Sequence, residues 1–225
     1  MPCLPGTDAA KRLEALFREA ADCAACPHLE GARAVLSVLN GSLSPKVLFV
    51  AEAPGKRGAD RTRIPMWGDA SGAAFRRLLQ QTGLLPGDVF ITNAVLCNPR
   101  NARGCNRPPT LEEIRNCNPF LKRTVDLLDP PIVATVGAVA LRAAALIEPH
   151  GLTLHEAAGT VVPWYGRLLV ALYHPSPRVL NTHRTWDEQR KDWEALRYAL
   201  EGGEALSFAS SPSKGGSSER SFNPK

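Results

Sequence analysis

The chain has 225 residues, 44% hydrophobic and 22% charged, which is enough for one sizeable core and short for two full domains. No apolar stretch approaches the roughly 20 residues that a membrane span needs, and charged side chains interrupt the N-terminal segment where a signal peptide would be apolar. The net charge of +5 suits a polyanionic partner without identifying one. We therefore expect a globular cytoplasmic protein without a membrane partner.

Apolar periodicity predicts helices and strands in alternation along the chain. Helices are predicted over residues 8–24, 71–83, 110–128, 137–147 and 186–200. Short apolar runs predict strands over residues 46–51, 88–96, 132–136 and 168–173, and residues 159–167 are expected to form a hairpin or loop. This alternation predicts an α/β fold, a three-layer αβα sandwich with a central, mostly parallel four-stranded sheet.

One domain is expected over residues 1–201, because the predicted elements follow one another without a linker. Gly, Ser, Lys and Pro dominate residues 202–225, and this composition is typical of a flexible, disordered tail. Binding of a partner by the tail is the alternative.

Chemically active residues follow two of the predicted strands. Ala51-Glu52-Ala53-Pro54-Gly55 ends the first apolar run, and His174-Pro175-Ser176 ends the last. Ligands of parallel sheets bind outside the carboxyl ends of the strands, so these two tips are expected to form one site.

Four of the six cysteines have a spacing that is typical of a metal or cluster site. Cys23 and Cys26 form a C-x2-C pair, Cys97 ends the second predicted strand, and Cys117 lies in the next helix. In a reducing cytosol such thiols are better explained as ligands than as disulfides. They would bind zinc or a [4Fe–4S] cluster, and one pair plus two separated cysteines fits a cluster at least as well. Ordinary free thiols remain the alternative, and Cys105 is a possible competing ligand in a loop that is expected to be mobile.

The first strand tip opens the most specific motif of the chain. The motif runs Ala53-Pro54-Gly55, Gly58, Arg61-Thr62, Pro65 and Gly68-Asp69-Ala70-Ser71-Gly72. With it, residues 21–200 resemble the prokaryotic iron–sulfur uracil-DNA glycosylases, closest to family five, or type b. Residues 109–117, Pro-Thr-Leu-Glu-Glu-Ile-Arg-Asn-Cys, are similar to the cluster-bearing families in general. The resemblance implies a [4Fe–4S] cluster on Cys23, Cys26, Cys97 and Cys117, next to the N-terminal helix.

The chain departs from family five at several positions. Glu52 and Asn93 resemble family four. Met66 stands where both families carry a base-stacking phenylalanine, and the stretch between Cys97 and Cys117 looks longer than usual. These departures concern substrate preference more than fold. One hypothesis is that the pocket accepts hypoxanthine or xanthine in addition to uracil.

The resemblance implies a monofunctional DNA glycosylase that hydrolyses the N-glycosidic bond of uracil and leaves an abasic site for base excision repair. Cleavage creates a cationic sugar and an anionic base, and the target base must first leave the duplex. Asp69 is the first candidate for the catalytic carboxylate and Glu52 the second. His174 is expected to stabilise the leaving base through a hydrogen bond. Structural roles, such as a helix cap for Asp69, are the alternatives for each residue.

Residues around the two tips are assigned to substrate and DNA. Asn93 suits the edge of uracil, with Met66, Ala53 and Gly55 around the base. The DNA-binding residues are predicted to be Lys56, Arg57, Arg61, Arg63, Ser176, Arg178 and Asn181.

Two other functions fit the same residues. A glycosylase-like protein could bind or trap damaged DNA without turnover, but residues 101–107 lack the histidine that such relatives use as a nucleophile. The second alternative function is that of a DNA-binding module that carries a cluster or zinc and catalyses no reaction. By resemblance the protein is expected to be a monomer and to act at the prokaryotic nucleoid.

Overall fold

A computed structural model describes residues 7–29 and 31–202. The helices are α1 (Thr7–Ala21), α2 (Ala59–Thr62), α3 (Ala70–Gln81), α4 (Leu111–Leu128), α5 (Ala138–Ala145), α6 (Leu154–Ala157), α7 (Pro177–Thr182) and α8 (Trp186–Leu200). The strands are β1 (Val47–Ala51), β2 (Val89–Asn93), β3 (Ile132–Val136), β4 (Val161–Trp164) and β5 (Arg167–Leu172). Single 3₁₀ turns lie at Pro27–Leu29, Val38–Asn40 and Pro86–Asp88.

The central sheet has the strand order β2-β1-β3-β5-β4, and only β4 runs antiparallel to its neighbour. The prediction of an α/β sandwich is therefore confirmed, but the sheet has five strands rather than four. The additional strand lies in the segment that was expected to be a hairpin or loop. Tyr165 and Gly166 both have positive φ, which is the geometry of a tight two-residue hairpin turn. Pro163 is tolerated because β4 is an edge strand.

The two faces of the sheet carry separate layers of core. On one face Leu48 and Val50 pack with α1, α4 and α5, and on the other Val47 and Phe49 pack with α3 and α8. Alternate residues of a strand point to opposite faces, so the fully buried β1 contributes to both. Phe49, Phe75 and Trp193 form the aromatic centre of the second layer, with ring centroids 5.1 to 5.6 Å apart.

Several element boundaries differ from the predictions. The first helix ends at Ala21, so Cys23 and Cys26 lie beyond it. The short helices α2, α6 and α7 were not predicted, because four to six residues show too little periodicity. The tail predicted over 202–225 lies outside the described residues from position 203 onward. Within the described part of the chain, no helix has the length and apolar character for a membrane crossing.

The parallel strands place their carboxyl ends at one edge of the sheet. Ala51, Asn93, Val136 and Leu172 are the last residues of β1, β2, β3 and β5. The chain goes from β1 outward to β2 and then returns across β1 to β3. Ligands of such sheets bind at this reversal, so the loops after these strands form the expected site.

Candidate active site

A cavity of about 520 Å³ opens at the carboxyl edge of the sheet. Nine residues that were predicted from the sequence line it: Glu52, Ala53, Gly55, Met66, Asp69, Asn93, His174, Ser176 and Arg178. The structure thus brings the two strand tips together around one space that is large enough for a nucleobase and part of its sugar.

Asp69 caps the N-terminus of α3 and also lines the cavity. Its Oδ1 accepts a hydrogen bond from the backbone N–H of Gly72 at 2.8 Å, so the residue is the N-cap of α3. Its Oδ2 lies against Gly58, where an added Cβ would approach it to 2.3 Å. The helix cap that was considered as an alternative role is therefore real, and it fixes the second carboxylate oxygen in the cavity wall.

His174 follows β5 and faces the same space. Burial lowers the pKa of its imidazole, and the nearby negative charge of Asp69 acts in the opposite direction. Because the net shift is downward, the imidazole is neutral at pH 7 and carries one N–H donor. A neutral donor can stabilise an oxyanion without first taking up a proton.

Glu52, which follows β1, is a second carboxyl group in the cavity wall. Burial raises its pKa. No hydrogen bond to its side chain is formed by the residues that the structure describes. Its carboxyl group is thus available for a ligand rather than committed to the fold.

Asn93 ends β2 and is buried, with 4% of its surface exposed. Its Nδ2 has no hydrogen-bond partner among the described residues, although it lines the cavity. A buried amide donor without a partner costs about 1–3 kcal/mol, and a ligand in the cavity that accepts a hydrogen bond from it would remove this cost.

Residues 98–107 contribute two cavity residues that were not predicted, Asn106 and Arg107, and Pro108 follows them in the cavity wall. Asn106 Oδ1 accepts hydrogen bonds from the backbone N–H of Lys56 at 3.1 Å and from Asn98 Nδ2 at 3.0 Å. These bonds orient the amide, and its Nδ2 lies over Gly55. No sequence signal marks these residues, since their positions depend on contacts about 50 residues away in the chain.

The same loop is tied to the rest of the protein by two sets of contacts, and its expected mobility stays a prediction. Lys56 Nζ donates to the carbonyl oxygen of Gly104 at 2.9 Å. Arg107 forms two hydrogen bonds with the fully buried carboxylate of Glu113, at 2.6 and 2.9 Å. His28 Nε2 also contacts Glu113 Oε1 at 2.8 Å, which links the segment after the C-x2-C pair to the wall of the cavity.

The predicted DNA-binding residues have different surroundings. Arg57 and Asn181 are exposed, and Ser176 caps α7 through the N–H of Val179. Arg61 lines a neighbouring cavity of about 550 Å³ together with Arg33 and Arg100.

Arg63 is directed into the protein. Its guanidinium donates to the carbonyl oxygens of Arg33 and Ala34. The structure therefore gives Arg63 a role in holding the segment that follows the first cysteine pair.

The four predicted cysteine ligands influence one another electrostatically. Burial, followed by repulsion from Cys23 and Cys26, raises the pKa of the Cys97 thiol to about 11. Burial also raises the pKa of Cys117 to about 12, with repulsion from the other three thiols adding to it and the N–H of Leu96 opposing it. Cys105 has no such coupling to these two groups and is exposed.

The donor set suits a thiolate-bound group of positive charge, which would relieve this repulsion. Within residues 7–29 and 31–202, no three His, Cys, Asp or Glu side chains are arranged to hold a metal ion.

Comparison with known proteins agrees with this geometry. Residues 39–197 match the family model of the uracil DNA glycosylase superfamily. A type-4 uracil-DNA glycosylase of Thermotoga maritima is 31% identical over 73% of this chain and 81% of its own length. A type-4 enzyme of Archaeoglobus fulgidus is 30% identical over 82% and 91%, and a type-5 enzyme of Pyrobaculum aerophilum is 31% identical over 72% and 82%. The chain belongs to the uracil-DNA glycosylase superfamily.

Proposed function

We propose that this protein hydrolyses the N-glycosidic bond of uracil in DNA and leaves an abasic site, which initiates base excision repair. One observation carries the proposal: a single cavity holds two carboxyl groups, a neutral, largely desolvated imidazole and an amide donor that has no partner among the described residues. The type-4 and type-5 glycosylases to which the chain is similar support the same reaction.

In this reaction the bond between the base nitrogen and C1′ breaks, and its electron pair leaves with the base. His174, as a neutral donor, hydrogen-bonds the base oxygen on which the negative charge develops. Asn93 supplies a donor and an acceptor to the edge of the base, which satisfies its buried Nδ2.

The sugar becomes an oxocarbenium-like cation, which a carboxylate can stabilise. Asp69 Oδ2 is held in the cavity wall for this purpose, and Glu52 is the second carboxyl group. Water then bonds to C1′ and passes a proton to a carboxylate. No lysine is among the cavity residues in the described part of the chain, so water rather than an amine is the expected nucleophile.

DNA binding is attributed to exposed basic residues on the segments that follow the two strand tips. Arg57, Arg61 and Arg178 are exposed and would contact phosphates, while Asn181 lies further along α7. The contacts of Lys56 and Arg63 within the protein make them weaker candidates. A monomer that acts on the chromosome in the prokaryotic cytoplasm fits this assignment.

We further propose that Cys23, Cys26, Cys97 and Cys117 hold a [4Fe–4S] cluster, with zinc as the less favoured ligand. The mutual coupling of the four thiols supports this assignment. The bound group would tie the segment after α1 to the end of β2 and to α4, which is a structural role.

The test is base excision by the purified holoprotein. Labelled oligonucleotides carrying uracil opposite G, uracil opposite A, single-stranded uracil or hypoxanthine are incubated and then cleaved with alkali at abasic sites. Scission at uracil supports the proposal, and its loss in Asp69→Asn and His174→Ala assigns it to this cavity. Asn can still accept the Gly72 hydrogen bond, so D69N retains the cap of α3. Binding of uracil-containing DNA without scission, from protein with intact cluster absorption, would instead favour a glycosylase-like DNA binder.

A further inference from the structure

Trp67 is an exposed aromatic residue in the wall of the candidate active site. It retains 48% of its accessible surface, whereas Phe49, Phe75 and Trp193 of the aromatic centre are buried. It lines the same cavity as Asn93 and His174.

The indole is supported from one side by a cation. The Arg76 guanidinium lies 4.3 Å from the centre of the Trp67 ring, and Arg76 Nη1 donates to the Met66 carbonyl oxygen at 2.9 Å. A cation over an aromatic face is attractive and restricts the orientation of the ring. Arg76 covers one face, and the remaining exposure of the residue leaves surface for a ligand.

The backbone of Trp67 is fixed by close contacts with two glycines. An added Cβ at Gly58 would lie 3.2 Å from the Trp67 carbonyl oxygen, and one at Gly72 would lie 3.0 Å from its nitrogen. Met66 before it and Gly68 after it have φ values of 51° and 91°. The indole is thus presented from a rigid turn, and ordering it on binding requires little further loss of conformational entropy.

We propose that Trp67 is the stacking surface for the extruded nucleobase in this chain, and that Arg76 is the residue that positions the indole. The inference rests on the proposed function. Asn93 and His174 address the edge of a planar base, and an aromatic ring in the same cavity supplies the contact for its face. Met66, the neighbouring cavity residue, is flexible and offers no planar surface.

Tryptophan fluorescence provides a test that does not depend on turnover. The holoprotein is titrated with a duplex containing 2′-fluoro-2′-deoxyuridine, whose glycosidic bond resists hydrolysis, and with the matched thymidine duplex. Stacking of the uracil on Trp67 is expected to quench fluorescence, and Trp67→Phe is expected to remove this quench.

Trp186 is the matched control. An arginine also lies over its ring, Arg77 at 4.5 Å, but Trp186 is not part of the cavity wall. Trp186→Phe should retain the uracil-dependent quench. A quench that survives in W67F and disappears in W186F would overturn the proposal.

Single-turnover kinetics on uracil-containing DNA give the second measurement. Trp67→Ala is expected to raise the DNA concentration at half-maximal rate by about tenfold or more, as for loss of one base–aromatic stack. Arg76→Gln should raise it about two- to fivefold, and Arg77→Gln should leave it unchanged. Met66→Ala should have a smaller effect than W67A, and a larger one would place the stacking contact at Met66 and refute the proposal.

The two proposals fail in different ways. A protein that shows the Trp67-dependent quench without excising uracil would retain the stacking surface and lose the proposed function. A protein that excises uracil with equal efficiency in wild type and W67A would retain the function and exclude the stacking surface.

Discussion

Asn93 has a side chain that is unfavourable for the stability of the free protein. Its buried Nδ2 finds no partner among the described residues, and desolvating such a group is unfavourable. At the same position it lines the cavity that is proposed to bind uracil. Function and stability therefore make opposite demands on this side chain.

We expect Asn93→Leu to leave the free energy of unfolding unchanged or to raise it by about 1 kcal/mol, because an unpaired polar group of similar volume is removed. The same change should lower kcat/KM for uracil excision at least about a hundredfold. Urea denaturation and single-turnover kinetics on one preparation check both parts. A variant that loses activity because it unfolds would contradict the first part.

The pH dependence of activity follows from His174 and Glu52. Burial lowers the pKa of His174 and raises that of Glu52. The histidine is therefore neutral at pH values above about 6.5, the usual histidine pKa, and Glu52 takes up a proton at a higher pH than an exposed glutamate does. We expect kcat/KM to be level near neutrality and to fall on the acid side as either group takes up a proton. A rate that rises toward acid pH would show that His174 must be protonated to act. Glu52→Gln identifies the group responsible for the fall in rate at acid pH, because the fall persists in this variant if His174 causes it and disappears if Glu52 does.

At the scale of elements, Glu113 joins three parts of the chain. It lies in the first turn of α4, forms a capping box with Thr110, and binds Arg107 from the loop and His28 from the 3₁₀ turn Pro27–Leu29. Burial alone would raise its pKa, but hydrogen bonds from Arg107, the Thr110 N–H and His28 outweigh it and lower the pKa to about 2. One buried carboxylate thus holds the cavity loop against the cysteine-bearing segment.

We expect Glu113→Gln to lower the free energy of unfolding by about 3 kcal/mol at pH 7, because it breaks a buried ion pair. The pKa of Glu113 is depressed in the folded state, so its stabilisation is complete above the ordinary glutamate pKa and is lost as pH falls toward 2. Urea denaturation at pH 7 and pH 3 should therefore show a smaller difference at pH 3. Glu112→Gln, an exposed neighbour on α4, is the control and should change stability by less than about 0.5 kcal/mol.

At the scale of the whole molecule, the cysteines connect distant segments. Cys23 and Cys26 follow α1, Cys97 follows β2, and Cys117 is in α4. A bound cluster would therefore stabilise the packing of α1 on α4. The four thiols repel one another electrostatically when ionised, so loss of one cysteine should weaken binding of the cluster by the other three.

We expect Cys97→Ser to abolish the visible absorption of the cluster and to lower the melting temperature. Cys105→Ser should retain both, since Cys105 is exposed in the loop. Absorption spectra, iron and zinc analysis and thermal denaturation make the comparison. Retained absorption in C97S, or its loss in C105S, would show that the ligand assignment is wrong.

The exposed basic residues near the cavity should give DNA affinity that depends on salt. Each phosphate contact contributes about one unit to the slope of log K against log salt concentration. We expect Arg61→Gln to reduce the slope by about one unit, without changing the preference among bases. Arg190→Gln is the control, because Arg190 lies on α8 beside Asp187 and lines neither cavity. An unchanged slope in R61Q would remove Arg61 from the DNA surface.

The sequence by itself determined the alternation of strands and helices, the two strand tips and the set of four cysteines. These features depend on local periodicity and on the chemistry of residue types, and parallel strands necessarily bring their carboxyl ends together. Glu52, Asp69, Asn93 and His174 could be assigned to one cavity for this reason.

Only the tertiary structure decided the features that depend on distant contacts. A hairpin or loop was expected over residues 159–167, but only the structure shows that β4 pairs with β5 there as a fifth strand of the sheet. The position of Asn106 depends on Lys56, and the inward direction of Arg63 depends on Arg33 and Ala34. Local sequence carries no information on such pairings, because the free energy that fixes them comes from packing and hydrogen bonds formed after the chain has folded.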